Sequence, residues 1–198
     1  MHKGRLEAFS DGMIAIFITI MVLELKVPRE SITLASLKPL WPAFLSYILS
    51  FIYLGIYWNN HHHMFQVVQH ISGAILWANL HLLFWLSLVP FVTGWMGENH
   101  FAPLPTALYG VDLLMAAIAY WILEQAILRA PGGNAILAAA IGRDLKGRSS
   151  MAIYAVAVGL SFVSPWIGCA LYVLVALTWL VPDRRIERAI AARDQAGH

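Results

Sequence analysis

The side chains best able to take part in ionic or hydrogen-bonding chemistry lie at the N-terminal edge of a long apolar stretch. They are Arg5, Glu7, Ser10 and Asp11. An ionised side chain in apolar surroundings persists only when it is paired or faces protein or water. Arg5 and Asp11 are six residues apart, which is too far for direct pairing on one helix, where neighbours are three or four apart. Each of them therefore requires partners from another part of the chain.

A second polar group ends the next apolar stretch, at residues 57–63, with the sequence Tyr-Trp-Asn-Asn-His-His-His. It supplies an indole N–H and several imidazoles, which can donate to a carboxylate. We therefore predict that Asp11 forms a hydrogen bond with Trp58, with His61 or with His62.

The three consecutive histidines also raise the possibility of a metal site. Successive residues of a helix point about 100° apart, so three in a row cannot converge on one ion, and the useful spacing is i, i+4. The sequence offers no such histidine pair, and His81 and Glu124 each stand alone in their apolar stretches. We therefore predict that the histidines form interhelical hydrogen bonds and do not bind a metal.

The composition defines the setting of these groups. Of 198 residues, 60% are hydrophobic and 12% are charged, whereas a soluble domain is roughly 45–50% apolar and about 25% charged. The chain is therefore predicted to be an integral membrane protein. Thirteen basic against eleven acidic residues leave no basic face for nucleic acid, and the single cysteine, Cys169, excludes a disulfide framework.

The apolar stretches predict an all-α, multipass fold with six transmembrane helices in a single domain, 1–198. The predicted spans are 8–27, 40–64, 73–97, 105–129, 149–166 and 167–182. The alternative for the last two is one long helix kinked between Ser161 and Gly168, which would be too long for a bilayer about 30 Å thick. Residues 183–198 are predicted to form a short cytoplasmic tail.

The distribution of Lys and Arg predicts the orientation. Six spans bring both termini to one side, and ten of the 13 basic residues fall on that side. The other three are Lys26, Arg29 and Lys38. Because cytoplasmic loops are enriched in Lys and Arg, both termini are predicted to be cytoplasmic.

The first span carries an aliphatic stripe at helical spacing. It consists of Met13, Ile16, Thr19, Ile20 and Leu23. One interpretation is a face that packs against other helices or lipid. The other is that copies of the stripe from several subunits line a narrow pore, where a hydrophobic constriction can gate by dewetting.

Three stretches carry a resemblance to a known family. They are Arg5-Leu-Glu-Ala-Phe-Ser-Asp11, the run Tyr57-Trp-Asn-Asn-His-His62 and the run Leu88-Val-Pro-Phe-Val-Thr93. The first resembles the R-x-x-x-F-S-D signature of potassium channels related to the lysosomal transmembrane protein 175. The resemblance implies six-helix subunits that assemble as a homotetramer, with the first helices lining the pore and without a T-V-G-Y-G filter.

The resemblance also implies residue roles. Ile16 matches the narrowest hydrophobic ring, Ile20 and Leu23 match aliphatic rings above it, and Thr19 matches a layer that favours K⁺ over Na⁺. A structural polar network between the first two helices is expected from Arg5, Ser10, Asp11, Trp58, His61 and His62.

The sequence thus predicts a potassium-selective channel, not an enzyme, in a prokaryotic inner membrane. Its expected partners are copies of itself, membrane lipids and the permeant K⁺, with no cofactor. One alternative is a secondary transporter, which predicts inverted repeats and broken helices that the sequence does not show. Another is a metal-binding membrane protein built around His61 to His63 and His81.

Overall fold

The computed structural model describes residues 2–28, 32–66, 68, 70–130 and 145–180. These residues form six α-helices and no β-strand, which confirms the predicted all-α class with six helices. The helices are α1 (Lys3–Leu23), α2 (Trp41–Gln66), α3 (Gly73–Glu98), α4 (Pro103–Leu128), α5 (Leu145–Ser161) and α6 (Pro165–Leu180). A 3-10 helix, Leu34–Leu40, leads directly into α2. The predicted tail, 183–198, lies outside the described residues.

The outside of the bundle suits a membrane. Four helical segments in the described part of the chain are long and apolar enough to cross one: Lys3–Leu23, Leu34–Gln66, Gly73–Glu98 and Pro103–Leu128. Helix α6 is also apolar, but it has only 16 residues. Large apolar side chains such as Trp77, Phe91 and Leu177 are more than half exposed on the surface of the bundle. A surface of this kind is stable against lipid rather than water.

The helix bounds differ from the predicted spans where polar residues join a helix end. Helix α1 begins at Lys3, five residues before the predicted span, and α5 begins at Leu145 rather than 149. A prediction based on apolar residues alone leaves out these first turns, because their residues are polar. Between α5 and α6 the chain turns at residues 162–164, and Pro165 takes the first position of α6, where its missing N–H costs no hydrogen bond. The chain therefore does not continue here as one kinked helix.

Helix α3 lies at the centre of the bundle. It packs against α1 and α2 on one side and against α4 on the other, and α4 in turn packs against α5 and α6. Leu82, Leu86 and Met96 of α3 are completely buried in the core. Since α1 packs chiefly on α2 and α3, its remaining surface is left open in a single subunit.

Two contacts fix how the ends of the helices are grouped. Lys3 Nζ donates to the backbone carbonyl of Gln66 at 3.1 Å, so α1 starts where α2 ends. We call this the N-terminal end of the bundle; α3 also starts there, and α4 ends there. At the opposite end, Lys26 Nζ lies 2.5 Å from Glu98 Oε1, which joins the segment after α1 to the last turn of α3.

Candidate functional site

Helices α1 and α2 are joined by a hydrogen bond between two residues that the sequence singled out. Trp58 Nε1 donates to Asp11 Oδ1 at 3.0 Å. Asp11 is half-buried and Trp58 is 45% exposed, so the bond lies at the edge of the bundle rather than in its core. Of the three partners predicted for Asp11, the structure brings Trp58 to it.

The two histidines take other partners. His62 stacks on the Trp58 ring, with centroids 6.3 Å apart, and its Nε2 lies 3.0 Å from the Gln66 amide nitrogen. His61 Nε2 lies 2.8 Å from Asn79 Oδ1, and its ring stacks on Phe65 at 4.4 Å. The neighbouring imidazoles therefore point in different directions, as expected for consecutive residues of a helix.

Asn79 of α3 connects α1 to α2 through a chain of buried hydrogen bonds. Its Nδ2 donates to Ser10 Oγ at 2.9 Å, and Ser10 donates to the carbonyl of Leu6 at 2.9 Å. Because Asn79 Oδ1 can only accept, His61 must carry its proton on Nε2 and donate. Ser10, Asn79 and His61 are at most 1% exposed. We call this chain, from His61 through Asn79 and Ser10 to Leu6, the neutral relay.

Sequence reasoning missed Asn79, although it is an amide within the first two turns of an apolar helix. Such a side chain in a membrane helix requires a partner on another helix. Arg5 is exposed and forms no hydrogen bond or ion pair with the described residues of its own subunit. Its place in a polar network therefore stays a prediction.

A further polar cluster holds α2, α3 and α4 together toward the end of the bundle opposite the N-terminal end. Thr93 Oγ1 donates to Ser50 Oγ at 2.6 Å, and Ser50 Oγ lies 3.0 Å from the Tyr109 hydroxyl. All three side chains are buried. No spacing along the chain groups these residues, because they come from three different helices.

Except for Met13, which is half-buried, the aliphatic stripe of α1 lies on its open face. Ile16 is 53% exposed, Ile20 is 41% and Leu23 is 77%. Thr19 is exposed as well, and its hydroxyl donates to the carbonyl of Ala15 at 2.9 Å. The hydroxyl proton is thus used within the helix, and the lone pairs of the oxygen remain available to another group.

The opposite face of α1 is buried in the subunit. It consists of Leu6, Ser10, Ile14, Phe17 and Met21, which recur every three or four residues. The helix is therefore divided into a face that anchors it to α2 and α3 and a face that nothing in the described subunit covers. Met13 of the stripe is half-buried and packs against the core, whereas the described subunit leaves Ile16, Thr19, Ile20 and Leu23 exposed, to lipid or to other copies of the chain.

These features define a multipass membrane protein whose first helix is anchored on one side and open on the other. Residues 5–90 match the family described as endosomal/lysosomal potassium channel TMEM175. A protein of Chryseobacterium sp. (strain P1-3) named potassium channel is 58% identical over 190 residues, which cover 96% of this chain and 98% of that protein. The chain belongs to the TMEM175 family.

Two further relatives show how far the similarity extends. The crystal structure of a lysosomal potassium-selective channel TMEM175 homolog from Chamaesiphon minutus superposes with a TM-score of 0.75 at 31% identity, covering 91% of this chain and 97% of that one. The human endosomal/lysosomal proton channel TMEM175 is 35% identical over 86 residues, which are 38% of this chain and 17% of that protein. The bacterial similarity thus extends over nearly the whole chain.

Proposed function

We propose that this protein is a potassium-selective channel in which four copies of the chain assemble around a central pore lined by α1. Membership of the family supports the activity, and the open face of α1 supports the position of the pore. The observation that carries the proposal is the division of α1 into an anchored face and an uncovered face with one polar step, Thr19.

Small residues beside the stripe support close association of α1 with other copies. On the exposed side, positions 4, 8, 12, 15 and 19 are Gly, Ala, Gly, Ala and Thr. A Cβ atom added at Gly4 or Gly12 would meet nothing within 4 Å in the subunit, so packing inside the chain does not require glycine there. Small residues at this spacing allow helices in a membrane to approach closely.

The proposed pore has two kinds of ring. Four copies of Ile16 would form the narrowest one, continued by Ile20 and Leu23, and apolar rings of this kind oppose the passage of a hydrated ion. Four Thr19 hydroxyls would form the polar step between them. Because each hydroxyl donates to its own helix, its oxygen can offer a lone pair in place of a lost hydration water.

The proposed orientation places both termini in the cytoplasm of a prokaryotic cell, in its inner membrane. At the N-terminal end of the bundle, the described basic residues are Lys3, Arg5, Arg129, Lys146 and Arg148. At the opposite end, they are Lys26 and Lys38. This asymmetry agrees with the positive-inside bias.

The test is ion flux into liposomes that contain the purified protein. We expect K⁺ flux down its gradient, a higher flux and weaker K⁺ preference for Ile16→Asn, and a modest change for Ile16→Val. Val156→Asn is the matched control, because Val156 of α5 is 56% exposed and Ile16 is 53%. Unaltered flux in Ile16→Asn, with normal membrane expression, would remove Ile16 from the pore.

Selectivity is tested separately at Thr19. Thr19→Ala removes the ring of oxygens and should lower the permeability ratio of K⁺ to Na⁺, measured as a shift of the reversal potential under mixed-ion conditions. Thr178→Ala is the control, because Thr178 of α6 is also exposed and also donates to its own helix, to Val175 at 2.7 Å. Because one relative is named a proton channel, the same recordings should include a pH gradient without K⁺.

A further inference from the structure

A groove opens between α3 and α4 at the N-terminal end of the bundle. It has a volume of about 670 Å³. Its polar and aromatic lining residues are Ser72, Trp77 and His81, at the start of α3, and Trp121, Gln125 and Arg129, at the end of α4; Ile122 and four alanines complete the wall. Trp77 is 75% exposed, so the groove opens toward the outside of the helix bundle.

The mouth of the groove offers unused hydrogen-bond donors. Arg129 follows the last turn of α4, is exposed, and forms no hydrogen bond or ion pair with the described residues. The side-chain amide of Gln125, one turn deeper, also lacks a hydrogen-bond partner among them. Since neither Asp nor Glu is among the described lining residues, the positive charge of Arg129 is not neutralised within the groove.

His81 adds a donor at greater depth. Trp85 Nε1 donates to His81 Nε2 at 3.0 Å. An indole N–H can only donate, so Nε2 accepts and the proton of the neutral ring lies on Nδ1. His81 therefore presents a donor that none of its described neighbours accepts from.

The groove extends over the length of a lipid headgroup and the start of its chains, with polar and apolar residues side by side along it. Arg129 and Trp121 are eight residues apart, which corresponds to about 12 Å along a helix. Trp77 and Trp121 suit the level at which tryptophan concentrates in membrane proteins, between headgroups and hydrocarbon. Ala74, Ala78 and Ala126 leave room between them.

We propose that this groove binds one anionic phospholipid from the leaflet at the N-terminal end of the bundle. The phosphate pairs with Arg129, and the ester carbonyls, which only accept, take hydrogen bonds from Gln125 and His81. One acyl chain lies along the tryptophans and alanines. Charge complementarity selects this occupant, because a basic pocket between transmembrane helices is a site for acidic headgroups.

The experiment is a titration of the full-length protein, purified in detergent, with phosphatidylglycerol or with phosphatidylcholine of the same chains. Bound lipid is counted by native mass spectrometry. We expect tighter binding of phosphatidylglycerol, and Arg129→Gln should weaken it about fivefold, as expected for one basic residue near a headgroup. Arg148→Gln is the matched control, because Arg148 is exposed at the same end of the bundle but lies outside the groove; it should retain the preference.

A second pair of variants tests the apolar part. Ala74 is exposed and lines the groove, so Ala74→Trp fills the space without disturbing the core and should lower binding of both lipids. Ala152→Trp is the control, because Ala152 is exposed on α5, and it should not lower binding of either lipid.

Four results would overturn the proposal. They are equal binding of the two lipids, equal losses in Arg129→Gln and Arg148→Gln, unchanged binding in Ala74→Trp, and displacement of the lipid by glycerol phosphate alone, which would indicate a site for a free anion. A changed subunit count in Arg129→Gln, with no lipid preference, would assign the groove to a second copy of the chain instead.

Discussion

The neutral relay makes Asn79 the residue whose loss should most weaken the attachment of α1. In Asn79→Ala, His61 Nε2 loses its acceptor at a position that is 1% exposed, and Ser10 loses a donor while it keeps its bond to Leu6. An unpaired buried polar group costs about 1–3 kcal/mol. Interhelical hydrogen bonds in membranes are often worth less, about 0.6 kcal/mol on average. Because Asn79→Ala removes two such bonds at once and leaves His61 without its acceptor, we expect a loss of about 1–3 kcal/mol of unfolding free energy.

The measurement is thermal unfolding of the protein in detergent, followed by tryptophan fluorescence. A change of 1 kcal/mol corresponds to about 2–4 °C in Tm for a chain of this size. Asn60→Ala is the control, because Asn60 is only half-buried and its Nδ2 bonds to Ile56 of the same helix. It should cost less than about 0.5 kcal/mol, as surface substitutions do.

A double variant separates the unpaired group from the lost volume. His61→Leu combined with Asn79→Leu removes the donor and the acceptor together and leaves apolar side chains, which can be nearly neutral. The double variant should therefore be more stable than the sum of the two single changes predicts. Strictly additive losses, or equal losses in Asn79→Ala and Asn60→Ala, would refute the relay as an energetic link between the helices.

Three further predictions concern the opposite end of the bundle. Gly97→Ala should lower Tm, because a Cβ there would lie 2.8 Å from backbone, whereas Gly55→Ala, with nothing within 4 Å, should not. His100→Gly should raise Tm, because His100 is exposed with φ of 50°, a region that favours glycine. The hydrogen bond that Lys26 donates to the Glu98 carboxylate raises the pKa of Lys26 above its ordinary 10.5. The stability from this pair is therefore present below pH 10.5 and lost as pH rises through the raised pKa. The Tm difference between the native protein and Glu98→Gln, measured at low salt, should vanish there; a difference that persists would exclude the pair as its cause.

The sequence was sufficient for the features that depend on one helix at a time. Six apolar stretches predict six helices, and the spacing of Ile16, Ile20 and Leu23 predicts that they share a face. The bond between Asp11 and Trp58 was one of three alternatives, because a carboxylate at the edge of an apolar helix requires a donor and the end of α2 offers several. Choosing among them required the relative rotation of two helices, which periodicity does not specify.

The parts that could not be predicted depend on three helices at once. Asn79 links Ser10 of α1 to His61 of α2 only because α3 lies between these two residues. No spacing within one helix indicates this arrangement. Asp112 of α4 was missed for a similar reason. Its carboxylate is buried, and neither oxygen has a hydrogen-bond partner among the described residues. A sequence shows that such a residue is present but not whether the packed helices enclose it.

The chemistry of the relay suits the proposed role of α1. His61, Asn79 and Ser10 join three helices with neutral groups, so the attachment is made without burying an ion, whose desolvation would cost several kcal/mol. It also places no fixed positive charge on the anchored face, where such a charge would repel cations in the path proposed along the open face of the same helix. Asp11, the charged member of the junction, lies at the edge of the bundle and is negative. The neutral relay thus attaches one face of α1 to α2 and α3. The path proposed for K⁺ lies along the other face, at Ile16, Thr19, Ile20 and Leu23.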